Sequence, residues 1–175
     1  MSTTDFITRT QSWIESTVIG LNLCPFAKHP FQYNTIRFSE SDTIETENLI
    51  MVLQQELSIL QKRPSNEVET TLIILTKGWQ DFDRYLSLID VCDQWLVEAK
   101  LVGVIQIASF HPHYQFDGLD ADDVRNYTNR SPYPMIHLLR EDSISRAIDN
   151  YPDIASIPDI NQEKLVSLGI NYFKR

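Results

Sequence analysis

Apolar positions recur along this chain with two different periods, and the alternation of those periods predicts the fold. Phe6, Ile7, Trp13, Ile14 and Val18 return to one broad face, which predicts a first helix opened by Thr4 and stopped by Gly20. Asn22-Leu23-Cys24-Pro25-Phe26 then leaves the helix, because a residue before proline is pushed out of helical geometry. Tyr33 to Phe38 reads as a strand, with Tyr33, Thr35 and Arg37 on one side and Ile36 and Phe38 on the other. Asp42 and Glu45 have the spacing of a capping box. The helix they would open carries the stripe Ile50, Leu53, Leu57 and Leu60 and ends at Lys62, Arg63 and Pro64.

Thr70 to Thr76 is β-branched and apolar without alternation, the pattern of an inner strand covered on both faces. A helix beginning at Asp81 or Phe82 aligns Tyr85, Leu88, Cys92, Trp95 and Ala99, which makes Cys92 a core thiol. Leu101 to Phe110 reads as the next strand, Asp117 to Arg130 as a polar loop, and Met135 to Leu139 as a fourth strand returning after it. A short helix is expected from about Ser143, and another from Asp159 and Gln162 to Gly169; Tyr151 to Pro158, with its prolines, reads as a surface wrap. Strands alternating with helices call for crossover connections and parallel pairing, while the returning strand makes the sheet mixed. The expectation is a small two-layer or three-layer α/β sandwich with a roughly four-stranded mixed sheet, ferredoxin-like in part at most. It forms a single domain over residues 1–175, with an N-terminal helix and a C-terminal helical extension.

Composition narrows the function classes. A chain of 175 residues with 42% hydrophobic and 22% charged side chains is long enough to bury a core without staples. Its formal charge of −9 opposes nonspecific nucleic-acid binding, which requires concentrated Lys and Arg. The opening MSTTDFITRTQSW lacks a basic region followed by an apolar run, and no later run approaches membrane-spanning length, so a cytoplasmic, non-membrane protein is expected. Cys24 and Cys92 are expected as free thiols.

Candidate chemistry gathers in two places. His111 and His113 follow a strand at its C-terminal end, where open parallel sheets form ligand crevices, and His137 lies in the returning strand. With Cys24 these three histidines supply the ligand types of a zinc site, His111, His113, His137 and Cys24, although no close ligand pair of the usual spacing supports it. The same groups suggest a catalytic set of Cys24, His111 and His137, since a neighbouring imidazolium lowers a thiol pKa. The segment Asn129-Arg130-Ser131-Pro132-Tyr133 is the most ligand-like loop. Arg130 offers a planar fork for carboxylate or phosphate, and Asn129, Ser131 and Tyr133 add donors. No dinucleotide fingerprint, phosphate loop, nucleophile elbow or calcium-loop pattern occurs.

At GLNLCPFA (Gly20 to Ala27), VIQIASFHPHYQF (Val104 to Phe116) and NRSPYPMIHLLRE (Asn129 to Glu141) the sequence resembles a bacterial family of small proteins catalogued as domain of unknown function 1415. The resemblance covers nearly the whole chain and implies a single-domain protein, without adding a reaction, ligand or catalytic residue. The functional expectation is therefore a small-molecule-binding protein, with enzymatic action on a small anionic metabolite left open. The alternatives are a nonenzymatic adaptor or regulatory protein, or a zinc-binding protein.

Overall fold

The computed structural model describes residues 3–149 and 155–173. The chain runs α1 (Thr3–Trp13), continued by a π-helical segment (Ile14–Ile19), a short α2 (Lys28–Gln32), β1 (Ile36–Ser41), α3 (Thr46–Lys62), β2 (Thr70–Leu75) and α4 (Phe82–Glu98). It goes on through β3 (Ile105–Phe110), a 3-10 turn (Val124–Thr128), β4 (Met135–Arg140), α5 (Glu141–Asp149), α6 (Ile157–Leu168) and a final 3-10 turn (Ile170–Tyr172). The first half of the expected surface wrap, residues 151–154, lies outside the described residues, and its last two, Ile157 and Pro158, already belong to α6.

The four strands form one open, mixed sheet in the order β1-β2-β4-β3. β1 pairs parallel with β2, and β4 pairs antiparallel with both β2 and β3. The crossover from β2 through α4 to β3 therefore skips one position, which β4 fills as it returns. This split βαβ unit gives the sheet its roughly ferredoxin-like topology.

Each face of the sheet has its own cover. Ile73, Leu75, Ile105, Ile136 and Leu138 project toward α3 and α4 and pack with Leu49, Leu53, Leu57, Leu60, Tyr85, Leu88, Cys92 and Leu96. Leu72, Ile74 and Met135 project to the opposite face, against Ile14 and the surrounding Phe6, Ile7, Trp13, Val18 and Phe110 of α1, its π-helical continuation and β3. All six residues of β2 are buried, as its unbroken apolar run predicts.

Several boundaries depart from the periodicity reading for local reasons. β1 runs on to Ser41, so Asp42 sits at a strand end and pairs with Lys77 at 3.1 Å, and α3 starts from Glu45 without a side-chain cap. β3 begins at Ile105 rather than Leu101, because Lys100 and Gly103 both take positive φ (59° and 79°) in a turn leaving α4. Asp81 caps α4 as expected, accepting a hydrogen bond from the Arg84 amide at 2.8 Å. Gly169, at φ 73°, ends α6. No helix among the described residues is long and apolar enough to cross a membrane.

Candidate ligand cavity

On the sheet face covered by α1, cross-strand registers set the side chains in rows. Phe38, Leu72, His137 and Ala108 form one row; Ile36, Thr70 and Leu139 belong to the next. Ala108 is small and Thr70 is short, so the floor is low at these points. Trp13 at the end of α1 and Ile14 and Val18 of the π-helical segment, where the chain is wound more loosely, roof it. The result is a cavity of ≈ 900 Å³ between the N-terminal helix, the Cys24 loop, the sheet and α5. Leu72, Ala108, Phe110 and Leu139 line its floor, Cys24 and Phe26 one wall, and Ser65, Glu69 and Arg146 its polar margin.

His137 is the polar centre of that floor. Its Nε2 lies 2.7 Å from Thr70 Oγ1, and the same hydroxyl lies 2.6 Å from the Leu138 carbonyl oxygen. A carbonyl only accepts, so the Thr70 proton points to Leu138 and His137 must donate from Nε2. The ring is thereby held as the Nε2–H tautomer, leaving Nδ1 as an acceptor with no partner among the described residues. Burial drives the His137 pKa down to about 4, so the imidazole is neutral at neutral pH.

The Cys24 loop is positioned from the far end of the chain. In α6, Asn161 donates to the Leu23 carbonyl at 2.7 Å and Lys164 to the Leu21 carbonyl at 2.7 Å. Burial raises the Cys24 pKa, partly offset by hydrogen bonds from the Phe26 and Ala27 amides, which keeps the thiol protonated.

The other candidates lie elsewhere. His111 is 0% exposed, in a nest of Phe82 and Tyr85 rings; its Nε2 donates to the Trp79 carbonyl at 3.0 Å and its Nδ1 accepts from the His113 amide at 3.0 Å. Both nitrogens are engaged in fastening the chain where it leaves β3. His113 is exposed, and with Arg130 it edges a shallower hollow of ≈ 470 Å³ that also contains Asp81, Asp83 and Asp122. Arg130 donates to the Tyr114 and Ala121 carbonyls and lies 4.8 Å over the Tyr127 ring, bracing the polar loop. Asn129 donates to Ser109, Ser131 to the Tyr133 carbonyl, and the Tyr133 ring packs edge-on against Phe6. The large cavity brings together Cys24 and His137, and none of the other sequence candidates lines it.

The zinc expectation is corrected by this arrangement. Among the described residues no group of three or more His, Cys, Asp or Glu side chains could hold a metal ion. The His111 and His113 rings lie 5.8 Å apart, but both His111 nitrogens are already bonded, and His137 lines the large cavity without either of them. Beyond the carboxyl end of β3 the 111–130 loop packs on itself, with Asn126 buried and bonded to Phe116 and Asp120, beside the hollow that His113 and Arg130 share with Asp81 and Asp83.

The sequence matches the family described as "Protein of unknown function (DUF1415)" over residues 5–175. The chain belongs to that family. No curated protein and no solved structure matches it significantly. The family's function is thus not given by its description, and the cavity is read from its own residues. Thr70, Ala108 and Trp13 belong to the cavity and carried no motif. The signal that marks the first two is the alternation of β2 and β3, in which Thr70, Leu72, Ala108 and Phe110 share a face.

Proposed function

We propose that this protein binds a small, largely apolar molecule in the cavity between its N-terminal helix and its sheet. The observation that carries the reading is the cavity itself. At ≈ 900 Å³ it has the size of small-molecule sites, with aromatic and aliphatic walls and few polar groups on its floor. Binding is better supported than covalent chemistry, since burial keeps the Cys24 thiol protonated and leaves His137 a weak base. An anionic metabolite at Arg130 has less support, because that guanidinium already donates to two backbone carbonyls.

A titration with N-phenyl-1-naphthylamine, whose fluorescence rises in apolar surroundings, tests the proposal. Wild-type protein is expected to give saturable, single-site binding. Ala108→Phe, which fills the floor beside His137, should weaken it at least roughly tenfold while the protein stays folded. Linear, non-saturating fluorescence in the wild type, or unchanged affinity in the variant, would contradict the reading.

A further inference from the structure

We infer that the cavity selects ligands that carry a neutral hydrogen-bond donor on an apolar body, and that His137 Nδ1 is the atom that makes the selection. This rests on the cavity reading above and specifies its ligand. The inference follows from the direction of each proton on the floor. The Thr70 hydroxyl donates to the Leu138 carbonyl, and the His137 Nε2–H donates to Thr70 Oγ1. His137 and Thr70 both line the cavity, and with those protons engaged the polar atoms they have left, His137 Nδ1 and the remaining lone pair of Thr70 Oγ1, can only accept. A ligand that displaces water from Nδ1 must therefore bring an O–H or N–H to replace the lost bond, or leave a desolvated acceptor without a partner.

The same geometry disfavours an anion. A carboxylate meeting Nδ1 would set lone pair against lone pair unless the ring took up a proton, and burial opposes that proton. The cations near the margin are engaged within the protein. Arg140 donates to the Leu60, Arg63 and Val68 carbonyls, and Arg146 bonds Asp142 and the Ser143 hydroxyl. An alcohol, phenol or amide N–H on a hydrocarbon frame matches the acceptor and the walls together.

Three probes of one frame separate the outcomes: 2-naphthol, 2-methoxynaphthalene and 2-naphthoate, titrated by calorimetry at neutral pH. In the wild type, 2-naphthol is expected to bind roughly tenfold more tightly than the ether, the ordinary consequence of one satisfied buried acceptor, and more tightly than the carboxylate. His137→Leu should bring naphthol and ether to the same affinity. Thr70→Val, which releases the tautomer, should narrow the gap without abolishing binding. Equal affinities for naphthol and ether in the wild type, or a preference for naphthoate, would overturn the donor rule while leaving cavity binding intact. Failure of all three probes to bind would overturn the cavity reading itself. The wild-type comparison needs no variant, so a misfolded substitution does not blunt the test.

Discussion

Two histidines of identical chemistry differ here because of where their strands place them. His111 lies just past β3 and turns into the aromatic nest of Phe82 and Tyr85, where both ring nitrogens are bonded. His137 stands on β4 with one nitrogen bonded and its residue lining a cavity. His111→Ala is accordingly expected to lower stability by about 2–4 kcal/mol, from a new void and an orphaned backbone partner, as read by urea unfolding. Probe affinity in the folded variant should not change; a selective loss of affinity would put His111 in the ligand site. For His137 the expectation concerns pH. Its folded-state pKa of about 4 lies below the ordinary value of 6.5, so the unfolded chain binds the proton first as pH falls. Its contribution to stability is thus complete above pH 6.5 and is lost as pH falls from 6.5 to 4, a loss on the order of 3 kcal/mol. Urea unfolding of wild type and His137→Leu across that range should show the wild type losing more stability on acidification. Parallel losses would mean that the ring is not held neutral by the fold.

At the scale of elements, the legible parts were those whose periodicity matched their burial. The stripe of α3, the stripe of α4 and the unbroken run of β2 each predicted the buried face that forms. Boundaries were less legible where a side chain had two partners to choose from. Asp42 had capping-box spacing, yet the extension of β1 to Ser41 carried it to Lys77 instead. The π-helical winding after Trp13 was not legible at all, because the residues Ile14 to Ile19 fit an ordinary helix equally well. Gly20 marks it in retrospect. Its amide bonds the Glu15 carbonyl at 2.9 Å, five residues back, and a Cβ there would fall inside contact distance of the Ser16 carbonyl oxygen. Gly20→Ala should therefore cost about 1–3 kcal/mol and disturb the cavity roof, measured as a lower unfolding midpoint together with weaker probe binding. An unaltered midpoint would show that the segment rewinds without cost. Arg140 is the second element-scale device. Glu141 and Asp142 follow it in the chain, yet its fork reaches the carbonyls of Leu60 and Arg63 at the end of α3, where a cation is favoured by the helix dipole. Arg140→Met is expected to destabilise the protein by about 2 kcal/mol and to speed amide exchange in the last turn of α3.

For the molecule as a whole, the fold was far more legible than the site. Fold follows from many redundant signals, since every strand and helix repeats its period several times. The cavity depends on a few single choices: a small Ala108 beside His137, a Thr70 whose hydroxyl fixes a tautomer, and α6 reaching back to hold the Cys24 loop. Such contacts join residues far apart in the chain and leave no spacing to recognise. In the histidine-rich stretch after β3, conspicuous in sequence, His111 instead fastens the chain to the Trp79 carbonyl. The central claim is that the opposite face holds a small molecule oriented by His137. A crystal structure of the protein soaked with 2-naphthol tests it most directly. The account predicts the naphthyl frame inside the cavity, against Leu72, Ala108 and Leu139, with its hydroxyl within hydrogen-bonding distance of His137 Nδ1. Density for the probe only on the outer surface, or inside the cavity with the hydroxyl turned away from His137, would contradict it.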